Sequence, residues 1–484
     1  MNTLVDRESE VEALRQAATS LPSLVVMYGR RRVGKSSVVN AAFTQPAPAV
    51  VHQARDRSRV ITGSPARRAI LHQADEQPEA AQLATFARDC AAVTGLPSLS
   101  FQSWDAALEF VRARAIQQPG LVVVLDEFQY LCLGQPALPS IIQKHWDAWD
   151  RDKVPVMLVL VGSAITFMEG LLPVGAPLHG RASLRPLIDP LTYRDAAGFA
   201  SKDTSPQSLV ERYAVVGGTP QYQVWSGTDG VAALVKRAIL TKGAPLYEEP
   251  LQLIRAEESV QARGRYYAAL AAIAAGRTRT GEVAAALEAP TSNAVRILDR
   301  LQELRYVRLM QPLSFSPKRS RAYWRVSDPF FNFWFRWVFP NHSRLEQGRV
   351  AEVWADIAKN LDAYVGPVFE NCCREWLGQY SEFEEVRTAL HVGSWWSRDG
   401  QAEIDVVAMT KTAYTLLGSC KWHRGKVGTA VLDQLYEHKG LLGKQAAQAR
   451  LALFARDGFH DDVVDRAASE NVILITTADL FGHA

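Results

Sequence analysis

At 484 residues the chain is long enough for roughly three or four domains, each able to bury its own core. With 48% apolar and 22% charged residues and no low-complexity tract it is neither a disordered nor a fibrous chain, and a net charge of +3 is too small to imply a nucleic-acid partner by itself. Five cysteines, without CxxC spacing and with Cys372 and Cys373 adjacent, exclude a disulfide framework and a zinc site, which leaves buried free thiols.

The opening stretch, MNTLVDRESEVEALRQAA, mixes acids and bases where a secretory signal would be apolar. No uncharged apolar run approaches the roughly 20 residues of a membrane span. A cytoplasmic protein without a membrane partner is therefore expected. The apolar run SLVVMYG then leads into Gly29, Arg30, Arg31, Arg32, Val33, Gly34, Lys35, Ser36 and Ser37, and SSVVNAAF reads as the start of a helix. Glycine, four residues, glycine, lysine and serine between a buried strand and a helix is the pattern of a loop whose backbone N–H groups cradle the phosphates of ATP. Lys35 would reach those phosphates, and the Ser36 hydroxyl would ligate Mg2+.

The next apolar strand, GLVVVLDEFQYL at 120–131, ends in two acids. A strand without a polar residue must be covered on both faces, as central parallel strands are. Asp126 is placed to hold the magnesium shell through water, and Glu127 to polarise the attacking water. A third strand, in VPVMLVLVGSAITFMEGLL at 154–172, brings Ser163 level with the same edge, either to sense the terminal phosphate or to cap the helix that follows. In PLHGRASLRPL at 177–187, Arg181 is a candidate for neutralising transition-state charge, with an ordinary surface base as the alternative.

Together LVDRESEVEAL, YGRRRVGKSS, VVVLDEFQYL, VGSAITFME, PLHGR and VVGGTPQY resemble the prokaryotic P-loop ATPases of the AAA+/STAND type. The chain is most similar to the archaeal and bacterial ATPase family that carries a C-terminal nuclease-like domain of unknown function. That resemblance implies that the VDRE segment packs near the adenine. It also implies that Gly217, Gly218 and Pro220 lie in a helical lid over the nucleotide.

The expected organisation is an α/β P-loop core with a parallel sheet (1–190), a helical lid (191–262), a winged helix-turn-helix (263–330), an aromatic connector (331–355) and a restriction-endonuclease-like α/β domain (356–484). In the winged helix, Ser292 is expected as the N-cap of SNAVRILDRLQELRYV, with Val295, Leu298, Leu301 and Leu304 as its core stripe. Residues 263–325 carry twelve Arg or Lys against four Asp or Glu, a local +8 that fits a helix in a DNA groove with a basic wing on the backbone, or else an acidic protein partner. The aromatic stretch DPFFNFWFRWVFPN is too apolar for a loop in water.

From 356 onward helices alternate with the strands EIDVVAMT, AYTLLGSCKWH, ARLALFAR and NVILITT. The resemblance to nucleases places Asp405 at the first carboxylate, Lys421 at the lysine, Glu370 at the helix acid and Gln434 at a helix polar group. Ser419 stands where a second acid belongs, and serine is a poor magnesium ligand because it carries no charge. Glu403, two residues before Asp405 on the same strand face, is the available substitute. The expected function is an ATP-hydrolysing switch, with an ATP-regulated DNA nuclease or a nucleotide-binding scaffold without turnover as alternatives. Expected partners are ATP with Mg2+, double-stranded DNA through the winged helix or a protein in its place, and further copies of the chain in a homo-oligomer.

Overall fold

The computed structural model describes residues 5–44, 51–52, 59–60, 68–96, 98–257, 260–315 and 322–482. The chain divides into two compact units, Met1–Pro190 and Leu191–Ala484.

In the first unit four parallel strands stand in the order Ser23–Tyr28, Val156–Gly162, Leu121–Asp126, Ala69–Gln73. Successive residues of a strand point to opposite faces, so apolar runs feed two cores. Leu24, Val26, Val123, Leu125, Leu158 and Leu160 join one core with Phe86, Trp104 and Trp149. Val25, Met27, Val122, Val124, Met157 and Val159 join the other with Leu14, Val38 and Phe43. The strand that precedes Ser163 lies between the loop strand and the acid strand. Outside the loop strand, residues 184–187 add a further parallel edge through bridges Val25–Leu184 and Tyr28–Leu187.

The second unit begins with helices, among them Pro206–Val216, Pro220–Ser226 and Glu249–Glu257. Gly218 separates the first two, and it must be glycine. Its Cβ would stand 1.9 Å from Leu191 O, where the two backbones cross and Leu191 N donates to Gly218 O at 2.8 Å. Pro220 opens its helix, where a fixed φ and a missing N–H cost nothing.

Helices Val260–Ala274, Thr280–Ala286 and Thr291–Glu303 follow, then the antiparallel pair Val307–Met310 and Tyr323–Val326. Two expectations for the third helix are corrected. Pro290 holds the N-cap position, so Ser292 falls inside the first turn. The buried side chains are Ala294, Ile297, Leu298 and Leu301, with Leu304 just beyond the helix, whereas Val295 is 39% exposed. Residues spaced strictly by three rotate backward by about 60° per step, so Val295 and Leu304 sit on opposite sides of the helix.

Asp328 caps the aromatic stretch by accepting from Phe330 N at 2.8 Å, and Phe330, Phe331, Phe333, Trp334 and Phe335 are buried. After the long helix Val350–Gln379 comes a five-stranded sheet in the order Ile473–Thr476, Arg450–Ala455, Tyr414–Lys421, Glu403–Met409, His391–Trp396. The first three strands are parallel and the last two antiparallel to their neighbours. The edge strand His391–Trp396 was not expected, because its sequence, HVGSWW, has no uninterrupted apolar run. All five cysteines are buried free thiols. Among the described residues no helix is long and apolar enough to cross a membrane.

Candidate functional site

The phosphate-loop residues leave the loop strand at Gly29 and turn into the helix Lys35–Phe43. Gly29 admits no side chain, since a Cβ would lie 2.3 Å from Ile188 O. Arg32 (φ 71) and Gly34 (φ 100) take left-handed backbone, which curls the chain into the kind of concavity that presents N–H groups to an anion at a helix N-terminus. Lys35 is 6% exposed, and its ammonium donates to Gly29 O at 2.8 Å and Arg30 O at 3.0 Å, in the centre of the loop. Val33 is buried in the core with Val38 and Phe43, while Ser36 and Ser37 are exposed at the helix start.

Across the intervening strand, Ser36 Oγ donates to Asp126 Oδ2 at 2.6 Å. A hydroxyl and a carboxylate thus meet at the carboxyl edge of the sheet, a donor pair suited to a hard divalent cation. Burial raises the Asp126 pKa, against the Ser36 hydrogen bond that lowers it. Glu127 adopts φ 55, a left-handed conformation that costs a non-glycine residue on the order of 1 kcal/mol and turns its side chain back over the edge.

Residues 4–224 match a family described as an ATPase domain predominantly from Archaea. The chain carries an ATPase domain. Residues 334–432 match a second family, described as archaeal and bacterial proteins of unknown function. An uncharacterized protein of Methanocaldococcus jannaschii is 27% identical over 457 residues, covering 91% of this chain and 92% of that one. Among solved structures, the Walker-type ATPase of Pyrococcus abyssi is 18% identical with a TM-score of 0.46, covering 69% of this chain and 96% of that one. The Aeropyrum pernix ORC2 protein in ADPNP–ADP complexes is 16% identical with a TM-score of 0.42, covering 75% and 97%.

Within the ATPase domain, Ser163 Oγ donates to Glu127 Oε2 at 2.7 Å. It does not cap the next helix, whose N-cap is Ala164 without a side-chain bond. Gln129 Nε2 donates to the same Glu127 oxygen and lies 3.1 Å from Ser163 Oγ. Arg181 is held by Asp147, with Nε and Nη2 donating to the two carboxylate oxygens at 2.6 and 2.9 Å. Sequence reasoning missed Gln129 and Arg7. The latter is buried and donates to Val33 O at 3.3 Å and Asp189 O at 2.6 Å, so the VDRE segment braces the loop from behind.

In the second unit, Glu403 and Asp405 share one face of their strand and meet Glu370 from the helix Val350–Gln379. One ligand oxygen from each lies within 4.8 Å of the others. Ser419 Oγ donates to Asp405 Oδ2 at 3.1 Å, and Cys420 N donates to the same oxygen at 2.7 Å. Serine therefore orients a carboxylate here. Burial, then Asp405, pushes the Glu370 carboxyl up to about 7, although Arg374 Nη1 lies 3.7 Å from it. Burial and Asp405 also raise Glu403, while the charges of Arg374, Arg325 and, least, Lys421 oppose them. Gln434 is exposed on the helix Thr429–Leu441, and that helix meets the cluster's strand one turn later, where His438 Nδ1 lies 2.7 Å from Glu403 O.

The antiparallel pair after the three helices is packed against this same sheet. Leu313 N donates to Ser394 O at 2.8 Å, Phe315 meets Tyr414 at 5.0 Å between ring centroids, and Tyr323 meets Trp396 at 4.9 Å. Trp396 is the cross-strand partner of Glu403. Arg308, directly opposite Arg325, donates to Asn371 Oδ1 at 3.2 Å. One face of the pair is thus turned toward the sheet and the long helix. The segment 316–321, with Lys318, Arg319 and Arg321, lies outside the described residues.

Proposed function

We propose that the chain is an ATP-hydrolysing switch whose nucleotide state is passed to a nucleic-acid-binding module. The observation that carries it is the 2.6 Å contact between Ser36 Oγ and Asp126 Oδ2 at the mouth of the phosphate loop. Ser36 and Asp126 would hold Mg2+ there, and the ion supplies positive charge to the phosphates when bound. Lys35 and the backbone N–H groups of the loop bind the β and γ phosphates. Glu127, oriented by Ser163 and Gln129, takes a proton from the attacking water. The water oxygen bonds to the γ phosphorus, the bond to the β–γ bridging oxygen breaks, and its electron pair leaves with ADP. Pro220 and the helices around it act as the lid, and Arg181 remains a candidate to act on a neighbouring copy of the chain.

The three helices and the antiparallel pair are read as a winged helix that meets duplex DNA through Thr291–Glu303. Arg296 is exposed on that helix, and Arg300, partly exposed, is paired with Glu303 at 2.9 Å. Because the pair of strands packs on the C-terminal sheet, the helix rather than the wing carries the contact. The test is magnesium-dependent ATP turnover with and without duplex DNA, together with DNA affinity against salt. Arg296→Ala plus Arg300→Ala should lower the salt slope by about two, since each lost phosphate contact releases about one counterion fewer. An unchanged slope assigns the helix to a protein partner, and absence of turnover at any magnesium concentration refutes the switch.

A second reading rests on the oxygens of Glu370, Glu403 and Asp405. Three carboxylates at this separation, Glu370 and Asp405 partly buried and Glu403 exposed, repel one another unless a cation or a proton joins them. They form a divalent-cation site of restriction-endonuclease type, in which Lys421 faces the phosphate and Ser419 positions Asp405. Calorimetric titration of the full chain with Mn2+ should show a binding event that Glu403→Gln weakens by at least about tenfold. Identical isotherms would leave the cluster as a proton-sharing group of acids.

A further inference from the structure

Two guanidinium groups of the ATPase domain differ in what already satisfies them. Arg181 has both oxygens of Asp147, and that pairing lowers the Asp147 carboxyl below its ordinary range. The pair lies at the surface, with Asp147 half-exposed, so it occupies Arg181 without burying either charge. Arg31, second of the four residues between the loop glycines, has a neutral partner instead. Its Nη2 donates to the Tyr130 hydroxyl, and its guanidinium carbon lies 6.0 Å from the Tyr130 ring centroid. Arg31 is half-buried, and among the described residues it pairs with no carboxylate.

The place of Tyr130 gives this contact its meaning. Tyr130 lies in the first turn of the helix Phe128–Gly134, and its N–H donates to Glu127 O at 2.9 Å. The Arg31 side chain thereby links the phosphate loop to the helix that begins directly after Glu127, whose carboxylate accepts from Ser163 and Gln129. A half-buried cation with only neutral partners is a group that an anion stabilises strongly, and the planar fork of a guanidinium is suited to a pair of phosphate oxygens.

We propose that Arg31 is the catalytic guanidinium of phosphoryl transfer, acting within its own chain, and that Tyr130 is the positioning residue that holds it toward Glu127. The inference rests on the ATPase reading above. As the γ phosphorus gains a bond to the water oxygen and loses its bond to the bridging oxygen, Arg31 donates N–H bonds to the oxygens where charge accumulates. It keeps all its protons, the water proton goes to Glu127, and ADP departs with the electron pair. Arg181 then has no necessary part in the chain's own turnover.

The test compares turnover with calorimetric binding of Mg–ADP and of Mg–ADP–aluminium fluoride, a mimic of the transferring phosphoryl group. For Arg31→Ala, kcat should fall about 10³-fold, ADP affinity should stay within about threefold, and the tighter binding of the fluoride complex should be lost by a factor comparable to that in kcat. Arg31→Lys should recover part of both losses, and Tyr130→Phe should lower kcat about tenfold with KM unchanged. Turnover per chain should not change on dilution. A kcat within threefold of the original for Arg31→Ala overturns the assignment, as does an equal loss of ADP and fluoride-complex affinity, which would make Arg31 a builder of the loop. A loss seen in Arg181→Ala and absent from Arg31→Ala overturns it as well. Absence of turnover in the unaltered chain sinks this assignment together with the ATPase reading, whereas the other outcomes sink this one alone.

Discussion

Replacing Lys35 with alanine is expected to abolish measurable ATP binding while leaving the protein folded. The ammonium is 6% exposed and its hydrogen bonds run to Gly29 O and Arg30 O, so it sits in the middle of the loop that phosphates would occupy. Charge-assisted bonds of an ammonium to two phosphate groups contribute about 1.5–3 kcal/mol each, so a loss of 10²–10⁴-fold in affinity follows. Removing the side chain also leaves two loop carbonyls to find water, which is available at the loop mouth beside exposed Ser36 and Ser37. Titration with a fluorescent ATP analogue measures the affinity, and a thermal melt of the same sample separates lost binding from lost structure. Undiminished affinity in a folded variant would remove the phosphate-loop reading.

Glu127→Gln should bind ATP with near-original affinity and turn it over 10²–10⁴-fold more slowly, the range for loss of a positioned general base. The amide oxygen can still accept from Ser163 Oγ and Gln129 Nε2, both of which donate to one oxygen of the carboxylate. The left-handed backbone at position 127 is as accessible to glutamine as to glutamate. Geometry is therefore preserved and only the proton acceptor is lost. Phosphate release in a single-turnover experiment reads the chemical step directly. A rate near that of the original protein would place the base elsewhere.

Both residues were legible from the amino-acid order because their setting is local. An apolar run, a glycine-bounded loop and a helix start are consecutive in sequence, and the geometry of each follows from its own residues and immediate neighbours. Asp126 and Glu127 were legible for the same reason, as the polar end of a strand with no other polar residue. Local rules also misled where they were applied too strictly. A stripe counted in threes placed Val295 in the core, although 3.6 residues per turn carries it to the exposed side. Ser292 failed as a cap because the helix had already begun after Pro290.

Strand order decided the rest. Sequence order puts the Ser163 strand after the acid strand, yet in the sheet it lies between the acid strand and the loop strand, and only that insertion brings Ser163 against Glu127, 36 positions away. Arg181 looked available in its loop, and its commitment to Asp147, 34 positions earlier, depends on how the helix Leu138–Arg151 packs. Arg31 and Tyr130 are 99 positions apart, and no periodicity links them. Glu370, Glu403 and Asp405 come together because a long helix crosses a sheet whose edge strand, His391–Trp396, lacked an uninterrupted apolar run. By itself the amino-acid order determined the phosphate loop, the acid pair and the alternation of helix and strand, since backbone propensity and side-chain period act over a few residues. Which charge each distant charge meets was decided by tertiary packing, since a pairing between remote residues depends on strand order and helix crossing, and spacing along the chain carries neither.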